Sequence, residues 1–482
     1  MIVTRTLVAD TLTPVRAYAS LRQADPEGAS FLLESVVGGE RWGRFSVLGY
    51  RPRYEAILDR KGWTLHARAG EAPAFTPRAD ARDPLEAIEP LFRSTSLPSA
   101  EHPAARFAKS HIGYLAWDIV HAIDKVPPGS EATWDEHFVP LARFLGGAIV
   151  VVFDALEQTV TIAAESEADI DRTLVDLSKA PALSEITIPD RTKIPNDVSL
   201  DLDDAAYEER VLRAKEFIAA GDAFQIVLAR TFSVARAGRD PFDVYRAMRL
   251  LNPSPYMYFL DLPPGPGQTE RLRIAGASPE TMVRLEHGTM TVRPLAGTRR
   301  RGATEEEDRA LERELLADPK ELAEHVMLID LGRNDVGRVA QIGSVELVRR
   351  MEIERYSHVM HIVSEVRGKV AETTPRLETV RAAFPAGTLS GAPKVRAMQI
   401  IRELEARPRG IYGGAVGYVQ ESGDLDFAIA IRTMIAKGET FEVTAGAGIV
   451  DASDPKAEAD ETRSKARGVL AAIAAVKAPH PM

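Results

Sequence analysis

Residues Asp203 to Ala229 read DDAAYEERVLRAKEFIAAGDAFQIVLA, which predicts a helix followed directly by a strand. Asp203 or Asp204 is a suitable N-cap for the helix, and Gly221 is a suitable end. Between them, apolar residues recur at helical spacing, at Tyr207, Val211, Ala214 and Ile218. From Phe224 onward the pattern alternates, which sends Phe224, Ile226 and Leu228 to one face of a strand and Gln225, Val227 and Ala229 to the other.

The elements predicted after this stretch occur in a mixed order. Strands and helices do not follow the β-α-β rhythm that gives a doubly wound parallel sheet. We therefore expect an α+β protein with large antiparallel sheets. The further predicted strands are Arg273–Ala275, Thr289–Pro294, Ala415–Val419, Leu425–Ala436 and Phe441–Ala445, and the predicted helices are Glu305–Leu316, Lys320–Leu331, Lys394–Leu404 and Lys456–Val476.

Length and composition exclude several classes of protein. A chain of 482 residues exceeds the usual size of one hydrophobic core, so we expect two domains. The net charge of −10 argues against nucleic acid or an anionic membrane as a partner. The chain has no cysteine, which excludes disulfides and a thiol nucleophile. We expect a cytoplasmic protein, because no signal peptide is visible and the longest apolar run, 144–153, is too short to cross a bilayer.

The segment 181–204 separates two regions of different composition. It is polar, interrupted by proline, and shows little periodicity. We interpret it as an interdomain connection with the boundary near residue 200. The predicted domains are therefore residues 1–200 and 201–482.

Two acidic segments each begin with Asp-Pro, a helix-start signal. They are DPKELAEH at 318–325 and DPKAEADE at 454–461. On helices, Glu321 would share a face with Glu324, and Glu458 with Glu461, so two facing helices would be able to hold Mg²⁺ between carboxylate oxygens. In the alternative interpretation, Glu321 forms a capping box with Asp318 and the other carboxylates are solvated surface charges.

Three glycine-containing segments, 295–298, 386–394 and 445–448, read as turns beside strands. Backbone N–H groups in such segments are able to approach an anion, although ordinary turns have the same composition. Arg432 and Tyr412 are suited to binding a carboxylate, or are simply a surface arginine and a core tyrosine. His358 and His361 are either a metal pair, a general base with a bystander, or structural residues.

Five segments, taken together and in this order, resemble the chorismate-utilising enzyme family. The resemblance covers Asp203 to Val476, and the segments 32–35, 45–49 and 113–114 extend it to the N-terminal region. It is closest to the members that form anthranilate, and it implies their fold, in which large antiparallel sheets pack as a sandwich with helices around them. The five segments are SPE at 278–280, PLAGTR at 294–299, AEHVMLIDLGRND at 323–335, GTLSGAPK at 387–394 and ETRSKAR at 461–467.

The resemblance implies a Mg²⁺-dependent reaction in which ammonia replaces the ring hydroxyl of chorismate and pyruvate is then eliminated. Glu280 would protonate the leaving hydroxyl, His361 would act in the elimination, and Thr388 is a further catalytic candidate. Glu324 and Glu461 would bind Mg²⁺, which would hold the ring carboxylate, with Glu458 and Glu321 nearby. The implied substrate contacts are Gly297, Thr298, Tyr412, Arg432, Gly446, Ala447, Gly448 and Lys465.

Two positions distinguish this chain from other branches of the family. Members that add water carry a lysine base where this chain has Gln225, and an amide cannot deprotonate water. Members that make 4-amino-4-deoxychorismate typically carry a lysine nucleophile where this chain has Ala296. Direct amination to anthranilate, the first committed step of tryptophan biosynthesis, is therefore favoured. The alternatives are an aminodeoxychorismate synthase of the folate pathway and a catalytically silent, tryptophan-binding subunit.

The resemblance also implies a partner and an inhibitor. Without a cysteine the chain cannot release ammonia from glutamine, so a separate glutamine amidotransferase subunit should supply it, in a heterotetramer of two large and two small subunits. Tryptophan is expected to inhibit from a site between segments 32–35 and 252–257. Its predicted contacts are Ser35, Pro255, Tyr256 and Met257, and the alternative is that these residues form only an interdomain contact.

Overall fold

Two large antiparallel sheets form the centre of the protein. The structure is a computed structural model. It describes residues 2–35, 44–69, 72–92, 102–128, 139–179, 181, 183–356, 359–405 and 407–478.

Strands make up both sheets in antiparallel pairs throughout. In chain order they are β1 Val3–Val8, β2 Ser30–Glu34, β3 Phe45–Tyr50, β4 Tyr54–Asp59, β5 Gly62–Ala67, β6 His111–Leu115, β7 Ala142–Gly146, β8 Ile149–Asp154, β9 Thr159–Ala164, β10 Ser199–Leu200, β11 Gln225–Ala235, β12 Tyr256–Leu262, β13 Leu272–Ser278, β14 Thr281–Glu286, β15 Thr289–Val292, β16 Leu295–Arg300, β17 Glu346–Arg355, β18 Val359–Lys369, β19 Gly391–Ala392, β20 Ala415–Val419, β21 Leu425–Ile429, β22 Thr433–Lys437 and β23 Thr440–Ile449.

Within the described ranges, the first sheet has 12 strands and the second has 11. The first sheet runs β1-β9-β8-β3-β2-β12-β13-β22-β23-β11-β10, with β19 paired to β11. The second runs β16-β18-β15-β14-β21-β20-β6-β7-β4-β5, with β17 paired to β18. Both sheets therefore combine strands from either side of residue 200, and the proposed division into 1–200 and 201–482 stays a prediction.

Helices cover the outer faces of the sheets. None of those in the described ranges is long and apolar enough to span a membrane. The α-helices are Pro14–Ala24, Pro84–Ile88, Pro103–Ala108, Val120–Ile123, Glu167–Ser178, Asp204–Ala219, Pro241–Leu251, Glu305–Ala317, Pro319–Gly337, Arg376–Ala383, Gly387–Ser390, Lys394–Leu404 and Pro455–Ala475, and short 3₁₀ helices are Glu89–Phe92 and Trp117–Ile119.

Strand alternation explains how one sheet packs on both sides. Phe31 and Leu32 are neighbours on β2, so their side chains point to opposite faces. Phe31 packs in a core with Ile112 of the second sheet, between the sheets. Leu32 packs in another core with Phe242 and Leu470, which belong to covering helices. The predicted α+β sandwich with surrounding helices is confirmed.

The element starting near Leu425 differs from its prediction. The strand predicted over Leu425–Ala436 is wrong as a single element, because β21 belongs to the second sheet and β22 to the first. The chain changes sheets between them, where Arg432 takes a left-handed backbone conformation with φ 50°. Apolar alternation continues across this break, so the sequence pattern does not reveal it.

Two of the predicted turns are also wrong. Gly446 and Gly448 lie within β23, where they pair with Ala229 and Val227 of β11. Gly297 lies within β16, at a bulge where its φ is 66°. Glycine leaves room for the backbone oxygen of Leu228 at Gly446 and for the side chain of Gln225 at Gly448. At Gly297 it allows a strand irregularity, which is another use of glycine in strands.

Candidate active site

Two crossings of the chain between the sheets lie side by side. One passes through Glu280 and the other through Arg432. The backbone N–H of Ala277 donates to Arg432 O at 3.2 Å, and that of Ile429 donates to Glu280 O at 3.1 Å. These bonds hold Glu280 and Arg432 on adjacent antiparallel segments, at the seam between the sheets.

Glu280 is a buried carboxyl group, 7% exposed. Its Oε1 accepts a hydrogen bond of 3.2 Å from Thr388 Oγ1. Burial raises the pKa of Glu280 to about 8, against the hydrogen bond from Thr388 and the positive charge of Lys465, which both lower it. Glu280 therefore keeps its proton at neutral pH and is able to act as a general acid.

Arg432 provides a positive charge at the same seam. Its guanidinium is half-buried, and among the described residues it has no hydrogen-bond or ion-pair partner. Burial lowers its pKa, and the nearby hydroxyl of Tyr412 raises it. A partly desolvated cation without a counter-ion favours an anionic ligand.

Tyr412 and Lys465 border the glycine-containing end of β23. A Cβ added at Gly446 would lie 2.8 Å from Tyr412 Oη, which shows how closely that hydroxyl approaches the backbone. Lys465 Nζ donates to Gly446 O at 3.0 Å and lies 2.6 Å from Glu461 Oε1. Ala447 is buried between these elements.

His361 faces Thr298 across β18 and β16. Its Nδ1 lies 3.0 Å from Thr298 Oγ1 and 3.0 Å from the carbonyl oxygen of Gly297. Burial lowers the pKa of His361 to about 4, and the nearby charge of Arg432 lowers it further, while the bond to Gly297 and the charge of Glu354 raise it. The imidazole is therefore neutral, with Nδ1 donating to Gly297 and Nε2 left as the basic nitrogen.

The predicted metal-binding glutamates lie on the helices Pro319–Gly337 and Pro455–Ala475. Burial raises the pKa of Glu324, the charges of Glu321 and Glu461 raise it further, and a hydrogen bond with Gln225 lowers it. Burial also raises the pKa of Glu458, with a further contribution from Glu461. Glu458 Oε2 is buried and has no hydrogen-bond partner in the described part of the chain.

This crowding of carboxylates fits a cation, because like charges and an unpartnered buried oxygen are both stabilised by a positive ion. As the side chains stand, no three Asp, Glu or His residues of the described ranges converge closely enough to hold one.

The capping box considered for Glu321 is wrong. Asp318 donates its backbone N–H to Leu315 O at 3.4 Å, and Glu321 Oε1 accepts from Arg299 Nη1 at 3.3 Å.

The predicted tryptophan contacts lie together in a separate place. Ser35, Pro255, Tyr256 and Met257 all line one cavity of about 270 Å³ between β2, β12 and the second sheet. The hydroxyl of Ser35 is buried and has no hydrogen-bond partner among the described residues. The other histidine of the predicted pair, His358, lies outside the described residues.

The structure adds two residues that sequence reasoning did not place in the site. The sequence analysis considered Gln225 only because water-adding members of the family have a lysine there. In the structure its side chain forms a hydrogen bond with Glu324. Tyr356 packs edge-to-face against His361, with ring centroids 5.6 Å apart. The sequence gives no sign of the first contact, and the second depends on the hairpin of β17 and β18.

Comparisons with known proteins identify relatives that align with nearly the whole chain. Anthranilate synthase component 1 of Acetivibrio thermocellus is 39% identical to this chain, over 98% of this chain and 94% of the relative. Its counterpart in Streptomyces coelicolor is 43% identical, over 96% and 87%. The crystal structure of anthranilate synthase component I from Streptococcus pneumoniae superposes with a TM-score of 0.74 at 33% identity, over 96% of this chain and 99% of that one.

A family of proteins described as chorismate binding enzymes matches residues 48–471. The matched region includes every catalytic, substrate-binding and metal-binding residue predicted above. With the two aligned relatives, this extent of match shows that the chain belongs to the chorismate binding enzyme family.

Proposed function

We propose that this chain converts chorismate and ammonia to anthranilate and pyruvate, as the large subunit of an anthranilate synthase. The relatives at 39% and 43% identity both carry the name anthranilate synthase component 1. Gln225 and Ala296 stand where other branches of the family use lysine, which disfavours water addition and a covalent route. The observation that carries the proposal is the placement of the buried Glu280 and of Arg432 on adjacent segments of one seam, with no partner for the Arg432 guanidinium among the described residues.

In the first half of the reaction, Arg432 and Tyr412 bind a carboxylate of chorismate. Glu280 donates its proton to the ring hydroxyl, which leaves as water while ammonia forms the new C–N bond. Thr388 orients the carboxyl group of Glu280 through its hydrogen bond of 3.2 Å. Ammonia is already a nucleophile, so Gln225 is sufficient at the position where water-adding relatives need a base.

In the second half, the neutral His361 takes a proton from the ring through Nε2. The electrons of that C–H bond form the last double bond of the aromatic ring, and the C–O bond to the enolpyruvyl group breaks. The departing enolpyruvate takes up a proton at its methylene carbon and leaves as pyruvate. Gly297 and Thr298 hold the imidazole through Nδ1 and keep Nε2 available.

Glu324 and Glu461, with Glu458 and Glu321 nearby, are the residues that would hold Mg²⁺. Bound there, Mg²⁺ would neutralise the ring carboxylate of the substrate and stabilise the charge that develops as the hydroxyl leaves. Lys465 now pairs with Glu461 and Gly446 O. If Glu461 bound a cation instead of Lys465, the ammonium group of Lys465 would be available to contact a substrate carboxylate.

The proposal includes a partner and a regulator. Because the chain contains no cysteine, a separate glutamine amidotransferase subunit supplies ammonia. Tryptophan binds in the cavity lined by Ser35, Pro255, Tyr256 and Met257, whose largely apolar walls suit an indole ring. The proposed cellular location is the cytoplasm, and the proposed assembly has two large and two small subunits.

The proposal is tested with purified protein, chorismate, Mg²⁺ and excess ammonium at mildly alkaline pH. The expected products are blue-fluorescent anthranilate and an equal amount of pyruvate. Absence of pyruvate contradicts the proposal, and accumulation of a non-aromatic amine indicates an enzyme that stops before elimination. Glu324→Gln is expected to lower the rate by about 100-fold or more, whereas a catalytically silent subunit has no rate to lose.

A further inference from the structure

Tyr356 forms one wall around His361. The two rings are in a T-shaped arrangement, with centroids 5.6 Å apart and planes at 64°. Tyr356 also lies within electrostatic range of the Glu280 carboxyl group, so it is near both proposed catalytic groups. An aromatic neighbour in this arrangement restricts the rotation of an imidazole and excludes water from one of its sides.

Tyr356 is itself fixed from three directions. Its backbone N–H donates to Val359 O at 2.8 Å, which closes the hairpin between β17 and β18. Its backbone oxygen accepts from Arg301 Nη1 at 2.7 Å. Its hydroxyl donates to Glu354 Oε2 at 3.0 Å. The ring therefore has little freedom to move away from His361.

Glu354 connects this tyrosine to His361 by a second route. It lies directly opposite His361 in the register of β17 and β18, so both side chains project from the same face of the sheet. Arg293 and Arg349 donate to its Oε1 at 2.5 and 2.7 Å. These two arginines keep Glu354 ionised and in place, and its negative charge favours a proton on His361.

From these contacts we propose that Tyr356 and Glu354 are positioning residues for His361, acting in the elimination of pyruvate and not in the amination. Tyr356 orients the imidazole, so that Nε2 faces the ring proton of the aminated intermediate. Glu354 stabilises the imidazolium that forms when His361 accepts this proton. The inference deepens the proposed function and rests on it.

Tyr356 and Glu354 should affect elimination and not amination, because they contact His361 and not Glu280. Amination depends on the proton of Glu280. The carboxyl group of Glu280 accepts a hydrogen bond from Thr388, and no hydrogen bond within the described residues joins it to Tyr356 or Glu354. Elimination depends on the base strength and direction of His361. Weakening the network should therefore let the aminated, non-aromatic intermediate leave the enzyme before it aromatises.

The experiment measures chorismate consumption, released non-aromatic amine and anthranilate in the same reaction, with Mg²⁺ and ammonium. Tyr356→Leu removes the ring, and Tyr356→Phe removes only the bond to Glu354. Glu354→Gln removes the charge and one of the two oxygens that accept from Arg293, Arg349 and Tyr356. The matched control is Tyr50→Phe, which removes a hydroxyl bonded to Thr173 at 2.9 Å, in the N-terminal part of the first sheet. Chorismate consumption reports folding of each variant within the same assay.

We expect Tyr356→Leu to raise the ratio of released amine to anthranilate about tenfold or more. Tyr356→Phe and Glu354→Gln should raise it about threefold, with chorismate consumption close to that of wild type. Tyr50→Phe should leave the ratio unchanged. An unchanged ratio in Tyr356→Phe and Glu354→Gln overturns the inference, even if Tyr356→Leu fails to fold. Wild-type protein that makes no anthranilate overturns the proposed function instead.

Discussion

His361 Nδ1 lies 3.0 Å from the carbonyl oxygen of Gly297. A carbonyl oxygen only accepts hydrogen bonds, so Nδ1 carries the proton of the neutral imidazole. Gly297 reaches this position because β16 bulges there and its φ is 66°. The backbone of one strand therefore selects the tautomer of His361, the proposed base, on the next strand.

Gly297→Ala should damage both the fold and the elimination. An added Cβ would lie 3.0 Å from Leu315 Cδ1 and 3.3 Å from Glu321 Oε2, in a left-handed conformation that non-glycine residues adopt at a cost. We expect a loss of about 1–3 kcal/mol in the free energy of unfolding, measured by denaturant titration, together with slower pyruvate release.

The control for that substitution is Gly337→Ala, at the end of a helix and with no atom within 4 Å of the added Cβ. It should be neutral or stabilising by up to about 1 kcal/mol. If both alanine variants had the same free energy of unfolding, a Cβ at Gly297 would not be costly, which would contradict this prediction.

Glu280→Gln should change how stability depends on pH. The folded protein keeps the proton of Glu280 up to about pH 8, whereas the unfolded chain loses it near the ordinary pKa of 4.5. Between these values the folded state binds more protons, so the wild type loses stability as pH rises. The melting temperature of Glu280→Gln relative to wild type should therefore increase from about pH 5 to about pH 8 and level off above. A constant difference would contradict the raised pKa.

Prediction from sequence succeeded where a pattern is local. The helices Glu305–Ala317, Pro319–Gly337, Lys394–Leu404 and Pro455–Ala475 begin within one residue of their predicted starts, since caps and Asp-Pro are local signals. The crossing at Arg432 was missed, because a strand that changes sheets keeps its alternation. The seam that joins Glu280 to Arg432 depends on pairing between segments more than 140 residues apart along the chain, which periodicity cannot report.

Thr388→Val should move the pH dependence of amination upward. The hydrogen bond from Thr388 stabilises the ionised form of Glu280 and so lowers its pKa. Without this bond the carboxyl group stays protonated to higher pH. The alkaline limb of the chorismate consumption rate, corrected for the free ammonia fraction, should therefore shift to higher pH. A lower rate with no shift would mean that Thr388 acts only through substrate binding.

Glu324→Gln should have opposite effects with and without Mg²⁺. Without the ion, Glu324 is a half-buried carboxylate close to Glu321 and Glu461, so its neutralisation should raise the melting temperature. With the ion, the wild type should gain about 2.7 kcal/mol at 100 times the dissociation constant, and the variant should gain less. Glu305→Gln, at an exposed pair with Arg309, should change neither result. Equal Mg²⁺ responses in all three proteins would contradict a metal site at Glu324.

Tyr256 connects the proposed tryptophan cavity to the seam that carries Glu280, the proposed acid. Its hydroxyl lies 2.9 Å from Thr281 Oγ1, next to Glu280, and donates to Asp426 at 2.9 Å. Tyr256→Phe keeps the ring that lines the cavity but breaks this connection. We therefore expect tryptophan to bind nearly as tightly, measured by calorimetry, while its inhibition of chorismate consumption weakens about tenfold.

Ser35→Ala is the contrasting variant, because Ser35 contributes an unpartnered hydroxyl to the cavity and does not contact the seam through any described hydrogen bond. It should weaken binding and inhibition by the same factor, since it changes the affinity and leaves the coupling intact. If Tyr256→Phe weakened tryptophan binding and inhibition by the same factor, Tyr256 would only bind the ligand. If tryptophan binding persists while inhibition is lost, the signal travels from the cavity through the Tyr256 hydroxyl to the residue that follows Glu280.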